Sequence, residues 1–466
     1  MRKVLIFASV AICLLFLTSV ASASWWNVNW KYRRGITITN VGGTLTDYQI
    51  LVELNSSNFN FSHAQENGSD IRFVASDDET LLSHWIEVWN FTNQSAKIWV
   101  NVSEVTEGTK IFMYYGNGNA SDASDVNATF IRVIDGVVGA WHFDEGSGNI
   151  AHDTSGEGND GTIYGANWTD GKFGKALSFD GADDYVDCGN DESLNITDEI
   201  TIVAWVRVEA LIDNIQMIID KTKGANDRAY GIRIQPNNKI AFFIANESDA
   251  AITVEGLVPD LGEWYFVAGT YDGISAKLYI NGALFNERPF SGNIQICSNN
   301  VGIGARSGGE FPFNGIIDEA RIYNRSLSEG GISNLYNNYG YTTPNYPNKV
   351  LVRKYTEPEP VAIVGEEVSG AFTTIANFLT IEKEIGANYI LWKWSCTNPD
   401  ALVDVFVDGS EVLSAVSAVS GEYLLTDVNE NELHIIKIAN FFNASDYVRD
   451  EARTLPPFSF FLALLL

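Results

Sequence analysis

"EWYFVAGTYDGISAKLYINGALF", residues 263–285, decides the fold. Two short runs rich in aromatic and β-branched residues are punctuated by "YDG" at 271–273 and "ING" at 280–282. Asp-Gly and Asn-Gly pairs supply the left-handed backbone that tight hairpin turns require. The runs are too short for stable helices and fit strands buried on one or both faces. The stretch therefore reads as consecutive antiparallel strands.

The same style extends on both sides. "GAWHFDE", "KALSFDG", "DYVDCGN", "EITIVAWVRV", "YGIRIQ", "KIAFFIAN", "NVGIGA" and "GIIDEARIYN" all read as strands within residues 134–342. Roughly a dozen strands in one domain imply a jelly-roll or concanavalin-like sandwich. One helix interrupts them: in "SLSEGGISNLYNNYG" (326–340), Ser326 or Ser328 can cap a turn whose Ile332, Leu335 and Tyr336 share a face. Upstream, residues 24–133 carry "RRGITITN", "YQILVELN", "DIRFVAS", "AKIWVNV" and "KIFMYYGN", the spacing of a second sandwich. A Pro-containing connector is expected over 343–369, because proline in a strand run marks an edge or a linker. Residues 370–450 read as an immunoglobulin- or fibronectin-like sandwich with an Asp-Gly hairpin in "VFVDGSEVL". The expected fold class is thus all-β, three consecutive sandwiches with the jelly roll in the centre.

The ends and the charge bound the function. Residues 1–23 start basic, continue apolar and end Ala21-Ser22-Ala23, the pattern of a secretory signal peptide, with an uncleaved anchor as the alternative. Sequons such as Asn55, Asn60, Asn67, Asn90 and Asn127 would mark exposed, glycosylated turns in a secreted chain. The apolar tail at 451–466 ends in too few apolar residues to span a bilayer; a truncated anchor and a packed chain end both remain open. A net charge of −29 argues against nucleic acid as a partner. Past the signal, three cysteines remain, an odd number. A disulfide between Cys188 and Cys297, which share a domain, is one expectation.

Two resemblances rest on specific motifs. "HDTSGEGNDGTIYGANWTDGKFGKALSFDGADDYVDCG", "EWYFVAGTYDGISAKLYINGALF" and "FNGIIDEARIYNRSLSEGGISNLY" occur in order and resemble laminin-G-like, concanavalin A-like lectin/glucanase domains over 136–340. "NWKYRRGITITN", "DIRFVASDDETLLSHWIEVWN" and "IFMYYGNGNASDASD" resemble a family known as domain of unknown function 2341, over 27–130. The first resemblance implies binding or adhesion, often to carbohydrate and sometimes with structural calcium. The fold hosts many activities, so function has to be argued from a site.

The loop "HDTSGEGNDGT" (152–162) places Asp153, Ser155, Glu157 and Gly158 in an EF-hand-like order, but Tyr164 stands where the bidentate Glu belongs. A different calcium site is expected instead. Strand alternation puts Asp318 of "GIIDEARIY" on one face with Ile316, Ala320 and Ile322, pointing inward. A buried carboxylate needs a cation or several donors, so Asp153, Asn159 and Asp318 are the candidate ligands, against the simpler reading of a glycine turn and backbone donors. Candidate sugar-binding residues are Trp168, Arg228, Tyr230, Arg306 and Phe311, aromatics and arginines on loops or strand ends. Trp141, Trp205 and Trp264 lie inside apolar strands and are expected in the core.

Catalysis finds little support. Asp183-Asp184 and Asp318-Glu319 are adjacent carboxylates, but successive strand residues point to opposite faces. No H-E-x-x-H, G-x-S-x-G or phosphate-binding loop occurs. The expectation is a secreted, non-catalytic binding or adhesion protein whose partners are glycans or cell-envelope components. A structural envelope component and a polysaccharide hydrolase are the alternatives.

Overall fold

The computed structural model describes residues 25–27 and 29–369 in full, and the backbone of seven strands between Leu379 and Arg453. The expected signal peptide and residues 454–466 of the apolar tail lie outside the described residues. The chain divides into two compact units. One comprises residues 34–76 and 81–367; the other comprises residues up to 33, 77–80 and from 368 onward.

The larger unit holds two sandwiches. The jelly roll is built from two eight-stranded sheets. Its front sheet runs, in spatial order, Ile150–Ala151, Gly161–Tyr164, Tyr185–Asp187, Gly302–Ile303, Gln216–Gly224, Asp227–Ile234, Ile240–Ala245 and Ala251–Glu255. Its back sheet runs Asn167–Asp170, Lys175–Asp180, Asn314–Tyr323, Ile200–Val208, Trp264–Tyr271, Ser275–Ile280 and Ala283–Pro289, with Val137–Trp141 pairing beside Asn314–Tyr323. Every pairing in both sheets is antiparallel. The opening stretch folds as read: Trp264–Tyr271 pairs Ser275–Ile280, which pairs Ala283–Pro289.

Between the sheets lies one large apolar core that includes Trp141, Leu177, Ile202, Ile219, Ile232, Phe242, Val254, Leu278, Ile303 and Ile322. A second layer forms behind the back sheet, where the helix Glu329–Asn337 packs Ile332 and Leu335 against Trp205, Phe266 and Val203. Ser328 caps that helix by accepting from the Gly331 N–H, as the sequence indicated. Trp264 is only partly buried beside this layer.

The N-terminal sandwich pairs Leu45–Asn55, Ser95–Val105 and His84–Asn90 in one sheet. The other sheet holds Val361–Ser369, Tyr32–Thr39, Thr109–Tyr115, Arg72–Val74 and Leu81–Leu82. Tyr32–Thr39 and Leu45–Asn55 bury alternate residues over much of their length, the signature of half-buried strands. The stretch expected as a connector is therefore structured. Lys349–Arg353 pairs Arg132–Asp135, and Val361–Ser369 becomes an edge strand of the N-terminal sandwich. Prolines 344, 347, 358 and 360 fall outside both strands, so neither ladder loses a donor.

In the smaller unit, Leu379–Ile385, Tyr389–Cys396 and Ser420–Thr426 form one sheet, and Ser410–Ser417, Leu402–Val407, Leu433–Asn440 and Asn443–Arg453 another. Val407 pairs Ser410 across the expected Asp-Gly turn. Among the described residues no helix is long and apolar enough to cross a membrane.

Candidate functional site

The register of the front sheet lays one row of residues across its outer face. Val186, Ile303, Ile219, Ile232, Phe242 and Val254 are successive cross-strand partners and all belong to the core. Their neighbours Asp187, Gly302, Asp220, Gly231, Phe243 and Thr253 form the next row, so they take the opposite face.

Three arginines gather on this face. The Arg233 guanidinium lies 4.4 Å from the Phe243 ring centroid and that of Arg228 lies 6.0 Å from it. Arg306 covers Phe311 at 4.7 Å. Arg306 also donates through Nε and Nη2 to Thr222 Oγ1, at 3.2 and 3.0 Å, and through Nη1 to Glu310 at 2.8 Å. Thr222 in turn donates to Asp220 at 2.8 Å. Burial pushes the Asp220 carboxyl up to about 6; the Thr222 hydrogen bonds and the Arg306 and Arg233 charges oppose that rise without cancelling it.

The remaining contacts separate the arginines by how well they are neutralised. Arg306 has Glu310 and, at 3.5 Å, Asp220. Arg228 donates to the Asp249 backbone carbonyl at 3.0 Å and meets its carboxylate only at 3.5 Å; its Nε is buried without a partner. Arg233 donates to Thr253 Oγ1 at 3.2 Å, and the Gln235 amide, turned to present its oxygen, accepts from it at 2.8 and 3.0 Å. Among the described residues Arg233 forms no ion pair. Desolvation lowers its pKa to about 10.

Of the five residues expected to bind sugar, Arg228, Arg306 and Phe311 share the front sheet and its rim. Tyr230 is fully buried in the core, on the same strand face as Ile232 and Ile234, its hydroxyl donating to Leu194 O at 2.8 Å. Trp168 sits on the back-sheet edge strand, packs against the core and donates to Gly148 O at 3.0 Å. Sequence reasoning missed Arg233, Phe243, Asp220 and Thr222. A lone arginine between Ile232 and Ile234 was the available signal.

The expected calcium ligands are placed differently from one another. Asp153 Oδ1 accepts from the N–H groups of Ala140 and Ser155, and Oδ2 accepts from Ser155 Oγ and the Asn159 N–H. Asn159 donates its amide to Val138 O and Ser193 Oγ, and its carbonyl receives the Trp141 indole. The loop is thus a donor-filled turn fastening the first strand. Asp318 instead accepts from the Lys172 and Phe173 N–H groups at 2.8 and 3.0 Å. The backbone of Trp141 bridges Asp153 on one side and pairs Ala320 on the other. Two strand spacings, roughly 10 Å, therefore separate Asp153 from the strand carrying Asp318, and the three residues do not form one ligand set.

Alternation also fails locally at Asp318. Glu319 has φ +55°, and Glu319-Ala320 stand opposite the single residue Ala204, a β-bulge. The core face is accordingly Ile317, Ala320 and Ile322, and Asp318 is buried on the other side, under the 171–173 loop. The bulge turns Glu319 toward His142 Nδ1, at 2.7 Å, and onto Arg321. His142, Asp144 and Glu319 bring ligand atoms within 4.8 Å of one another. Both Glu319 oxygens are already used, one by a guanidinium, so the cluster reads as a buried ion network around the bulge. Cys188 and Cys297 are both buried free thiols, which corrects the expected disulfide. Cys297 donates to Asp227 O at 3.4 Å, while Cys188 lies in the core.

Residues 180–333 match the family model of the concanavalin A-like lectin/glucanases superfamily, and residues 67–155 match that of domain of unknown function 2341. Within the superfamily the matching model is the laminin-G type, so the chain carries a laminin-G-like jelly roll preceded by that second family's domain. No curated protein matches the chain. Among solved structures, domain 4 of AbnA, a GH43 extracellular arabinanase from Geobacillus stearothermophilus in complex with arabinotriose, aligns at 21% identity and TM-score 0.36, covering 43% of this chain and 98% of that one. The binding domain of Paraclostridial Mosquitocidal Protein 1 aligns at 13% and 0.37, covering 68% and 82%. The CBM40 domain of the Ruminococcus gnavus IT-sialidase, bound to α2,3-sialyllactose, aligns at 20% and 0.29, covering 34% and 96%.

Proposed function

We propose that this is a secreted, non-catalytic glycan-binding protein and that the outer face of the front sheet is its binding surface. One observation carries the reading: strand register gathers Arg228, Arg233, Arg306, Phe243 and Phe311 on that face and its rim. Sugars are held by aromatic or apolar faces with convergent polar groups beside them, and Thr222, Thr253 and Asn299 add such groups there. The match to a lectin/glucanase superfamily agrees with it. Adjacent carboxylates do occur at Asp318 and Glu319, but both are buried on the back sheet, away from this face.

A glycan array with the full chain tests the proposal. Clear hits, weakened by Phe311→Ala at unchanged melting temperature and unaffected by Trp168→Ala, are expected. An array without hits, or release of reducing sugar from a bound polysaccharide, overturns it.

A further inference from the structure

Resting on that glycan-binding reading, we infer that the front-sheet face selects glycans carrying carboxylate groups, and that Arg228 and Arg233, over the Phe243 ring, are the residues that read the charge. The chain carries 59 acidic side chains against 30 lysines and arginines. In such a chain a guanidinium finds a carboxylate easily, as Arg306 does with Glu310, Arg207 with Glu209 and Arg353 with Glu359. Arg233 is largely buried yet held only by neutral oxygens, those of Thr253 and Gln235. Arg228 donates to a backbone carbonyl and leaves a buried Nε–H unused. Taking guanidinium groups out of water with incomplete counter-charge is costly; Arg228 has Asp249 only at 3.5 Å and Arg233 has Asp220 nearby but no ion pair, so an arriving anion offsets part of that cost.

The geometry suits a planar carboxylate. Guanidinium groups form paired N–H···O bonds with carboxylates, which point charges cannot match. Phe243 is buried beneath the two guanidiniums, and its ring holds their planes at the sheet face. Gly231 stands between Asp220 and Phe243 in the row, and the Asp220 carboxylate lies close over it. A neutral sugar would add no charge beside Arg233, which forms no ion pair among the described residues, or to Arg228, which meets Asp249 only at 3.5 Å. Uronic acids and sialic acids share the required chemistry, a carboxylate on a pyranose ring.

The test uses the full chain and calorimetric or affinity-electrophoretic titration with polygalacturonate, its fully methyl-esterified form, α2,3-sialyllactose and lactose. At least one acidic member is expected to bind about tenfold or more tightly than its neutral counterpart, an advantage that added salt diminishes. Arg233→Gln should erase the advantage while leaving the melting temperature near wild type, and Arg233→Lys should restore only part of it. The polygalacturonate and sialyllactose arms distinguish the two sources of the acid. Equal binding of acidic and neutral members, or an advantage that survives Arg233→Gln, overturns the inference and leaves glycan binding standing. Absence of binding to these probes and across the array overturns both.

Discussion

Glu87 offers the sharpest test of how the two sandwiches of the larger unit are joined. Its carboxylate accepts from Trp99 Nε1 at 2.9 Å in its own domain. It also accepts from Tyr341 OH at 3.0 Å, Thr343 Oγ1 at 2.6 Å and Asn345 Nδ2 at 3.1 Å in the segment that leaves the jelly roll. Around it lie Trp85, Trp99, Phe130 and Leu351, with Trp99 and Tyr341 ring centroids 5.0 Å apart. Replacing Glu87 with Ala removes four donor contacts to a charged acceptor. Each would be worth roughly 1.5–3 kcal/mol if fully buried, but Glu87 is half-buried and water replaces part of the loss, so the net cost is about 3 kcal/mol. For a cooperative unit of about 330 residues, unfolding entropy is on the order of 0.7 kcal/mol/K, which converts this cost to a fall of roughly 4 °C in melting temperature. Scanning calorimetry would measure it. Glu87→Gln, which keeps an acceptor oxygen, should lose about half as much. A fall below about 1 °C for Glu87→Ala would mean that the seam is held by its rings alone and would refute the assignment.

Other outcomes follow from single contacts. Tyr230→Phe should cost about 1–2 kcal/mol by stranding the Leu194 carbonyl, with no change in glycan recognition, since its hydroxyl faces the interior. Asp220 ties stability to pH. Its folded pKa, about 6, exceeds the ordinary 3.8, so the stability it contributes is complete below about pH 4 and is lost as pH rises through 6. Asp220→Asn should therefore gain on the wild type between pH 4 and 7, by an amount on the order of 3 kcal/mol; a flat difference in urea midpoints across that range counts against it. Gly269→Ala should cost about 2–3 kcal/mol in the same assay, because a Cβ there would collide with the buried Phe242 ring of the facing sheet. A reductant should leave the melting temperature of the larger unit unchanged, and Cys188 should react with a thiol reagent only after unfolding.

The jelly roll was legible because its hairpins advertise themselves: Trp264–Tyr271 and Ser275–Ile280 are apolar runs closed by Asp-Gly and Asn-Gly. The same apolar character hid the candidate face. "IAFFIA" gives no hint which phenylalanine looks inward, and only its partners Ile232 and Gly231 assign Phe242 to the core between the sheets and Phe243 to the opposite face, where it is buried under arginine side chains. Asp318 was correctly read as buried, but alternation put it on the wrong side, since a single left-handed residue, Glu319, resets the period. The free thiols and the edge strand Val361–Ser369 depend on distances between remote segments, which local pattern does not encode.

That edge strand has a mechanical consequence. Val361–Ser369 lies beside Tyr32–Thr39, with Thr39 donating to Val361 O and Arg34 to Gly365 O, while Arg132–Asp135 and Lys349–Arg353 pair where the chain enters and leaves the jelly roll. The jelly roll hangs as a closed side loop from a clasp. Tension along the chain would be borne first by the clasp, sparing the front sheet, so a protein stretched between two anchors would keep the jelly roll folded until the clasp strands part.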